Sequence, residues 1–102
     1  MKEVLILITT ESNYERAKNL AKMLIEKKLA ACVSIKNIDS IFKWEGDIEE
    51  ITELEITIKT KPELKKELIS FLKKMTTYNI PQILYQKFHA EKEYYDWLIQ
   101  TT

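Results

Sequence analysis

The stretch that decides the fold is residues 31–60, which read ACVSIKNIDSIFKWEGDIEEITELEITIKT. Two segments rich in β-branched and aromatic residues flank a turn at residues 45–47, and both are far longer than the usual strand of about 5–6 residues. Gly46 is the only glycine of the chain, and it lies where the backbone must reverse. The stretch therefore predicts one overlong β-hairpin.

The alternation of apolar residues predicts which side chains share a face of this hairpin. Apolar positions are odd-numbered at the start of the first strand and even-numbered afterwards, so we expect a β-bulge near residues 36–37. Even apolar positions on both sides of the turn predict a three-residue loop at residues 44–46. An apolar tip with free strand edges invites pairing with another copy of the chain. We expect Phe42, Trp44 and Ile48 at the tip to make these contacts between subunits.

Outward from the hairpin, the chain predicts a single domain over residues 1–102 of the α+β class. Around the hairpin, the expected elements are a buried strand (residues 3–9), an amphipathic helix (12–29), a second helix (from 62 to about 76), a fourth strand (80–89) and a terminal helix (91–100). The order βαββαβ with right-handed crossovers predicts a ferredoxin-like antiparallel sheet with two helices on one face. The other face needs the terminal helix or another subunit to cover it.

Composition narrows the classes of partner. Acidic and basic residues are equal in number, at 16 each. Arginine is the residue that best makes bidentate hydrogen bonds to phosphates and bases, and Arg16 is the only arginine of the chain. We therefore expect no nucleic-acid partner. Cys32 is the only cysteine, which excludes an internal disulfide and suits a reducing compartment. With no apolar run near 20 residues and no signal-peptide pattern, we expect a cytoplasmic protein without a membrane partner.

Five short motifs, in order along the chain, carry a family resemblance. They are LAACV (29–33), FKWEGDIEE (42–50), IKTK (58–61), YNIP (78–81) and YDWL (95–98). Together they make the chain resemble the CutA divalent-cation tolerance family over its whole length. The resemblance implies a PII-like homotrimer that takes part in the response to metal ions and binds copper or another divalent cation. It implies no catalytic reaction, so we expect no enzyme. The family's usual His-Pro-Tyr-Glu before the fourth strand is replaced here by TTYN (76–79).

Two residues are candidate metal ligands. Cys32 offers a soft thiolate for copper if a threefold axis brings three copies together, and otherwise it is a small buried hydrophobe. His89 is the only histidine, near Glu91 and Glu93, so it is either a surface ligand or a strand-end residue without a metal.

A second candidate site is a pocket at the subunit interface. We expect Trp44, Lys59 and Tyr78 to line it together with Glu50 from another subunit, and to hold a small anion or a metal complex. The plainer interpretation is an aromatic packing anchor and an intersubunit salt bridge. The acidic residues of the hairpin offer hard oxygen ligands, or they form a solvated strand face.

The alternative function is a PII-like signalling trimer that binds a small anionic ligand in its interface clefts. Such a site needs a mobile loop and basic residues, and the short turn at Gly46 argues against the loop. An acylphosphatase-like enzyme would need an arginine in the loop after the first strand. That loop reads TESN (10–13).

Overall fold

The chain forms an α+β fold on one four-stranded sheet, seen in a computed structural model that describes residues 2–102. The elements are β1 (Glu3–Glu11), α1 (Tyr14–Glu26), β2 (Cys32–Trp44), β3 (Asp47–Thr60), a 3-10 turn (Pro62–Leu64), α2 (Lys65–Met75), β4 (Leu84–His89) and α3 (Lys92–Thr101). The strands lie in the order β2-β3-β1-β4, and every neighbouring pair is antiparallel. The predicted element order and the antiparallel sheet are confirmed. The fourth strand begins at Leu84, later than the predicted residue 80.

The main core lies between one face of the sheet and the first two helices. Apolar residues recur on α1 and α2 at helical spacing, and the same spacing turns them toward the sheet. The buried members of this core include Leu7, Leu20, Leu24, Ile56, Ile58, Leu68 and Leu72. Since β1 and β3 are the two inner strands, they supply the sheet's fully buried side chains.

The terminal helix covers part of the opposite face. Leu98 of α3 is fully buried there against Val4 and Ala31. Further along this face Leu84 and Phe88 on the edge strand β4 remain 58% and 46% exposed. One helix therefore covers one end of this face, and the single chain leaves the rest open.

The hairpin extends beyond the sheet as a two-stranded arm. Pairing between β1 and β3 stops at Glu11 and Leu54, whereas β2 and β3 stay paired as far as Trp44 and Asp47. Residues 38–53, here called the arm, thus have only each other as strand neighbours. The residues nearest the tip, 41–50, are all exposed, and the molecule measures 46 × 24 × 22 Å. An isolated two-stranded ribbon is marginally stable in water, so the arm is an element that needs a partner surface.

The turn and the strand pairing differ from the sequence-based expectation. The pairing of β2 with β3 runs without interruption from Cys32 opposite Lys59 to Trp44 opposite Asp47, so the predicted bulge is wrong. The loop contains two residues, Glu45 and Gly46, with φ values of 50° and 88°. Two consecutive positive φ angles are typical of the type I′ turn, whose twist matches that of the flanking strands. The predicted three-residue loop is therefore also wrong.

This pairing redistributes the side chains of the tip. With a two-residue loop, even positions on one strand share a face with odd positions on the other. Phe42 and Trp44 therefore share a face with Ile51, and Ile48 lies on the opposite face with Ile41. Both faces of the arm carry exposed apolar residues, since Ile48 is 76% and Phe42 41% exposed.

The first helix has well-defined ends. Asn13 is its N-cap, and its side chain accepts a hydrogen bond of 2.9 Å from the backbone N–H of Arg16. At the other end Lys28 adopts φ 59°, and the N–H of Leu29 donates back to the carbonyl of Leu24. This is a Schellman motif with a lysine at the position that usually holds glycine.

Candidate functional site

A groove of about 710 Å³ lies between the arm and the segment 76–83 that joins α2 to β4. It is lined by Thr10, Ser40, Ile41, Phe42, Trp44, Glu49, Ile51, Glu53, Thr77, Tyr78, Asn79, Ile80 and Gln82. Its volume is that of a small-molecule site, and its lining mixes aromatic and aliphatic surface with a few polar groups.

The strand register decides which arm residues reach the groove. Ser40, Phe42 and Trp44 alternate along β2 and so point to one face, which they share with Ile51 and Glu53 of β3. A pairing shifted by one residue would turn these side chains away from the segment 76–83. The two-residue turn thus fixes the composition of the groove wall.

Glu53 is the most deeply buried charged residue of the groove. Its exposed fraction is 7%, although it lies on the projecting hairpin. The hydroxyl of Tyr78 donates to one carboxylate oxygen at 2.9 Å, and the hydroxyl of Ser40 donates to the other. Within residues 2–102, no lysine, arginine or histidine forms an ion pair with Glu53. Neutral donors alone therefore hold this buried carboxylate.

The surroundings of Tyr78 favour the protonated phenol. Burial raises the pKa of Tyr78 above its ordinary value of 10.0, and the hydrogen bond to Glu53 and the negative charges of Glu53 and Glu11 raise it further. The tyrosine thus remains a hydrogen-bond donor over the whole physiological pH range. Its hydroxyl joins the segment 76–83 to the base of the arm.

A second buried carboxylate supports the groove from the other face of the sheet. Glu11 is 4% exposed and pairs with Arg16, whose Nε lies 3.2 Å from the Glu11 oxygen. The same guanidinium donates to the backbone carbonyl of Met75 at 3.2 Å. Because Met75 is the last residue of α2, this contact fixes the position from which the segment carrying Tyr78 begins.

Of the predicted pocket residues, the structure brings Trp44 and Tyr78 to one groove. Glu50 lies opposite Ile41 on the other face of the arm. Lys59 lies six residues beyond Glu53 along β3, a distance of about 20 Å in an extended strand. Within one chain, Glu50 and Lys59 therefore do not join Trp44 and Tyr78.

The two predicted metal ligands are far apart in the chain. Cys32 begins the edge strand β2, and His89 ends the opposite edge strand β4. The pairing with β1 also places them on opposite faces of the sheet. Among residues 2–102, no three histidine, cysteine, aspartate or glutamate side chains are grouped to hold a metal ion. Cys32 and His89 of one chain therefore do not form a metal site together.

Sequence reasoning missed the importance of Glu53. It is one of seven acidic residues in the hairpin, and the pattern indicated hard oxygen ligands or a solvated strand face without singling out Glu53. Its burial arises from a contact with Tyr78, which is 25 residues away in sequence. No local signal distinguishes Glu53 from Glu49 or Glu55, so only the tertiary structure could identify it.

The charged side chains that line the groove are acidic. Glu49 and Glu53 are its only ionisable side chains apart from the phenol of Tyr78, and none of its lining residues is basic. Trp44 and Phe42 add aromatic faces on the arm side. Such a lining suits a ligand with a positive charge and an apolar body. In the part of the chain that the structure describes, no helix has the length and apolar character of a membrane span.

These features define a class: an α+β protein whose antiparallel sheet continues into a long arm with an acidic, aromatic groove at its base. A model of the family described as CutA1 divalent ion tolerance protein matches residues 4–101. The chain belongs to this family, which is described by tolerance of divalent ions and not by a reaction. The predicted family is confirmed.

Relatives and solved structures agree with this assignment. The chain is 42% identical to the divalent-cation tolerance protein CutA of Archaeoglobus fulgidus over 90% of its length and 91% of the relative's. It is 36% identical to that of Thermus thermophilus over 98% of both chains. The structure of CutA from Synechococcus elongatus superimposes with a TM-score of 0.94 at 34% identity, covering 99% of this chain and 91% of that one. The A. fulgidus protein, described as periplasmic, gives 0.92 at 39% identity, covering 96% and 97%.

Proposed function

We propose that the protein is a homotrimer of the CutA type that acts in tolerance of divalent cations. In this proposal the subunits have the ferredoxin-like arrangement, assemble as in PII-like trimers, and join their sheets through the strands of the long hairpin. Family membership supports the link to divalent ions.

The observation that carries the proposed assembly is the uncovered arm. Phe42 and Trp44 on one face and Ile48 on the other are exposed beyond the reach of the chain's own core. In addition, β2 and β4 are edge strands with free backbone groups, and β4 carries the exposed Leu84 and Phe88. Long, apolar strand edges are liabilities unless another chain pairs with them. Further copies of the chain would cover the exposed arm and pair with the free strand edges.

Light scattering coupled to size exclusion tests this assembly. We expect a mass of three times the 12.1 kDa chain. Trp44→Ala should shift the mass toward the single chain on dilution, because a buried aromatic anchor is a typical interface hot spot. Tyr14→Ala, at an exposed aromatic on α1 outside the arm, is the control and should leave the mass unchanged. A wild-type protein with the mass of one chain would contradict the proposal.

Metal binding requires donors from more than one copy in this proposal. One thiolate, Cys32, is too few for a soft metal, and His89 lies at the other edge of the sheet. We therefore propose that copper, or another divalent cation, binds between subunits with Cys32 as the first candidate donor. Calorimetric titration of copper and zinc into the reduced trimer, beside Cys32→Ser, tests this. Binding that survives the substitution would exclude Cys32, and no binding would exclude direct coordination.

The alternative of a PII-like trimer with an anionic ligand has less support. The lining of the groove carries two carboxylates and no basic side chain, and its turn is a compact two-residue loop. We also propose a cytoplasmic location without nucleic-acid or membrane partners, supported by the single cysteine and the shortage of arginine. Fractionation of cells that produce the tagged protein tests the location.

A further inference from the structure

We propose that a second groove, between the end of α1 and the length of α2, binds a small organic anion with two negative charges, such as a phosphate monoester. This groove has a volume of about 630 Å³. It is here called the lysine groove, because Lys27, Lys66 and Lys74 line it. The inference goes beyond the proposed function, since the ligand is not a metal ion and its site is not a cleft between subunits.

The lysine groove lies outside the surfaces that the proposed trimer covers. Lys27 directly follows α1, and Lys66 and Lys74 belong to α2. These two helices cover one face of the sheet, whereas the proposed contacts between subunits involve the arm, the strand edges and the opposite face. One chain supplies the whole lining, so the groove is the same in a single chain and in the proposed trimer.

Charge is distributed unevenly over the chain, although its net charge is zero. Residues 22–29 and 61–75, at the end of α1 and along α2, contain eight lysines and three glutamates, which is a net charge of +5. Residues 31–60 of the hairpin contain seven acidic and three basic residues, which is a net charge of −4. The lysine groove therefore lies in the positive region of the molecule, where the local field attracts anions.

The three lysines of the groove have no carboxylate partner among residues 2–102. The Nζ atom of Lys27 lies 5.5 Å from the centroid of the Phe71 ring, so an aromatic face holds this ammonium group across the groove. Glu67 is the one acidic residue of the lining, and within the described residues it forms no ion pair. Three lysines against one glutamate leave two positive charges in excess, which matches a dianion.

The helix dipoles explain only part of this arrangement. Lys27 and Lys74 lie at the C-terminal ends of their helices, where the partial negative charge of the helix stabilises a cation. Lys66 is the second residue of α2, and a positive charge gains no such stabilisation near the start of a helix. The presence of all three lysines around one groove therefore needs a further reason.

Ser70 marks the centre of the proposed site. It lies one helical turn from Lys66 and one turn from Lys74, at the position where a glutamate would form i,i+4 ion pairs with both. The flexible stems of the two lysines can turn toward this position, and the hydroxyl of Ser70 adds a neutral hydrogen-bond donor. An anion above Ser70 would thus meet two ammonium groups of α2 and that of Lys27 across the groove.

The floor of the groove suits the carbon skeleton of an organic anion. Leu29 and Phe71 form this floor, and both pack in the main core. The volume lies in the range of small-molecule sites. An anion with an apolar portion therefore fits the groove better than an inorganic anion.

Calorimetry with three probes tests the charge and the apolar portion separately. Phenyl phosphate has about two negative charges at pH 8, benzenesulfonate has a single charge on the same ring, and inorganic phosphate has no ring. We expect phenyl phosphate to bind at least about threefold more tightly than either of the other probes, because each of them lacks one ion pair or the apolar contact. Added salt should weaken its binding.

Three variants then locate the site. Ser70→Glu places a carboxylate between Lys66 and Lys74, so it should weaken the binding of phenyl phosphate by about tenfold or more. Ser70→Gln has a side chain of the same size without the charge and should keep the binding. Asn19→Glu adds the same charge at a position of α1 outside the groove and should also keep it. Ser70 and Asn19 are both exposed, so the three variants should fold.

The comparison of probes and the comparison of variants can each overturn the inference. Phenyl phosphate that binds no more tightly than either of the other probes would do so, and so would a Ser70→Glu protein that binds it as tightly as Ser70→Gln. An equal loss in Asn19→Glu would indicate a general field and no site. Light scattering of the same samples reports the oligomeric mass. A single-chain mass would contradict the proposed function and leave the lysine groove intact, whereas a trimer that does not bind phenyl phosphate would do the reverse.

Discussion

Removal of the Tyr78 hydroxyl tests how the base of the arm is held. In Tyr78→Phe the ring keeps its place, and the hydrogen bond of 2.9 Å to Glu53 is lost. Hydrogen bonds to charged groups contribute about 1.5–3 kcal/mol, and Glu53 would keep only the Ser40 donor. We expect the free energy of unfolding to fall by about that amount, which is at least tenfold in the unfolding equilibrium.

Urea denaturation at one fixed protein concentration measures this loss, because the stability of an oligomer depends on its concentration. Tyr14→Phe is the matched control, since Tyr14 is 53% exposed on α1 and lies outside the groove. The control should change the free energy of unfolding by less than about 0.5 kcal/mol. A Tyr78→Phe loss no larger than that of the control would refute the role assigned to this hydrogen bond.

The same substitution has a signature in pH. The pKa of Tyr78 is raised in the folded chain, first by burial and then by Glu53, whereas the phenol of the unfolded chain titrates near 10. Above about pH 10 the unfolded chain therefore binds fewer protons than the folded one, and the free energy of unfolding falls as pH rises. The stabilisation is fully present below pH 10. Tyr78→Phe should lose this part of the alkaline slope, and parallel slopes in both proteins would contradict the expectation.

Further substitutions follow from the fold. Lys28→Gly should raise the free energy of unfolding by about 1 kcal/mol in urea denaturation, because glycine adopts φ 59° without strain. Lys27→Gly is the control, since Lys27 has φ −80°, and it should lower the free energy of unfolding. Leu68→Ala should cost about 2–5 kcal/mol, since Leu68 is fully buried in the core, and a smaller loss would indicate a collapsed cavity. Glu11→Gln should destabilise the fold through its lost pair with Arg16, whereas Glu53→Gln should be neutral or stabilising by the same measurement.

The sequence was sufficient to predict the element order, the hairpin and the place where it reverses. Gly46 marks the reversal because it is the single glycine between two strand-forming segments. The helices could be recognised because each buries one face in the core. Burial of one face requires apolar residues at the spacing of a helical turn. For these two helices the pattern and the structure agree.

The register of the arm could not be predicted in the same way. Alternation of apolar residues indicates the register of a strand only where one face of the strand is buried. The arm lies beyond the core, and Ile48 is exposed on one of its faces and Phe42 on the other. The even numbering of both residues therefore did not mean a shared face. The turn type was also hard to predict, because Glu45 occupies the first loop position with φ 50°. Type I′ turns usually have asparagine, aspartate or glycine at this position.

The two buried carboxylates, considered together, show where the candidate site lies. Glu11 is opposite Leu54 in the sheet, so Glu53 is the next residue along β3 and points to the other face. Both are more than nine-tenths buried, yet Glu11 has the guanidinium of Arg16 while Glu53 has only hydroxyl donors. A fold selected for stability alone would gain from a neutral residue at position 53. The packing of the single chain therefore does not explain the charge of Glu53, which lies at the base of the arm, on the face that another subunit would cover in the proposed trimer.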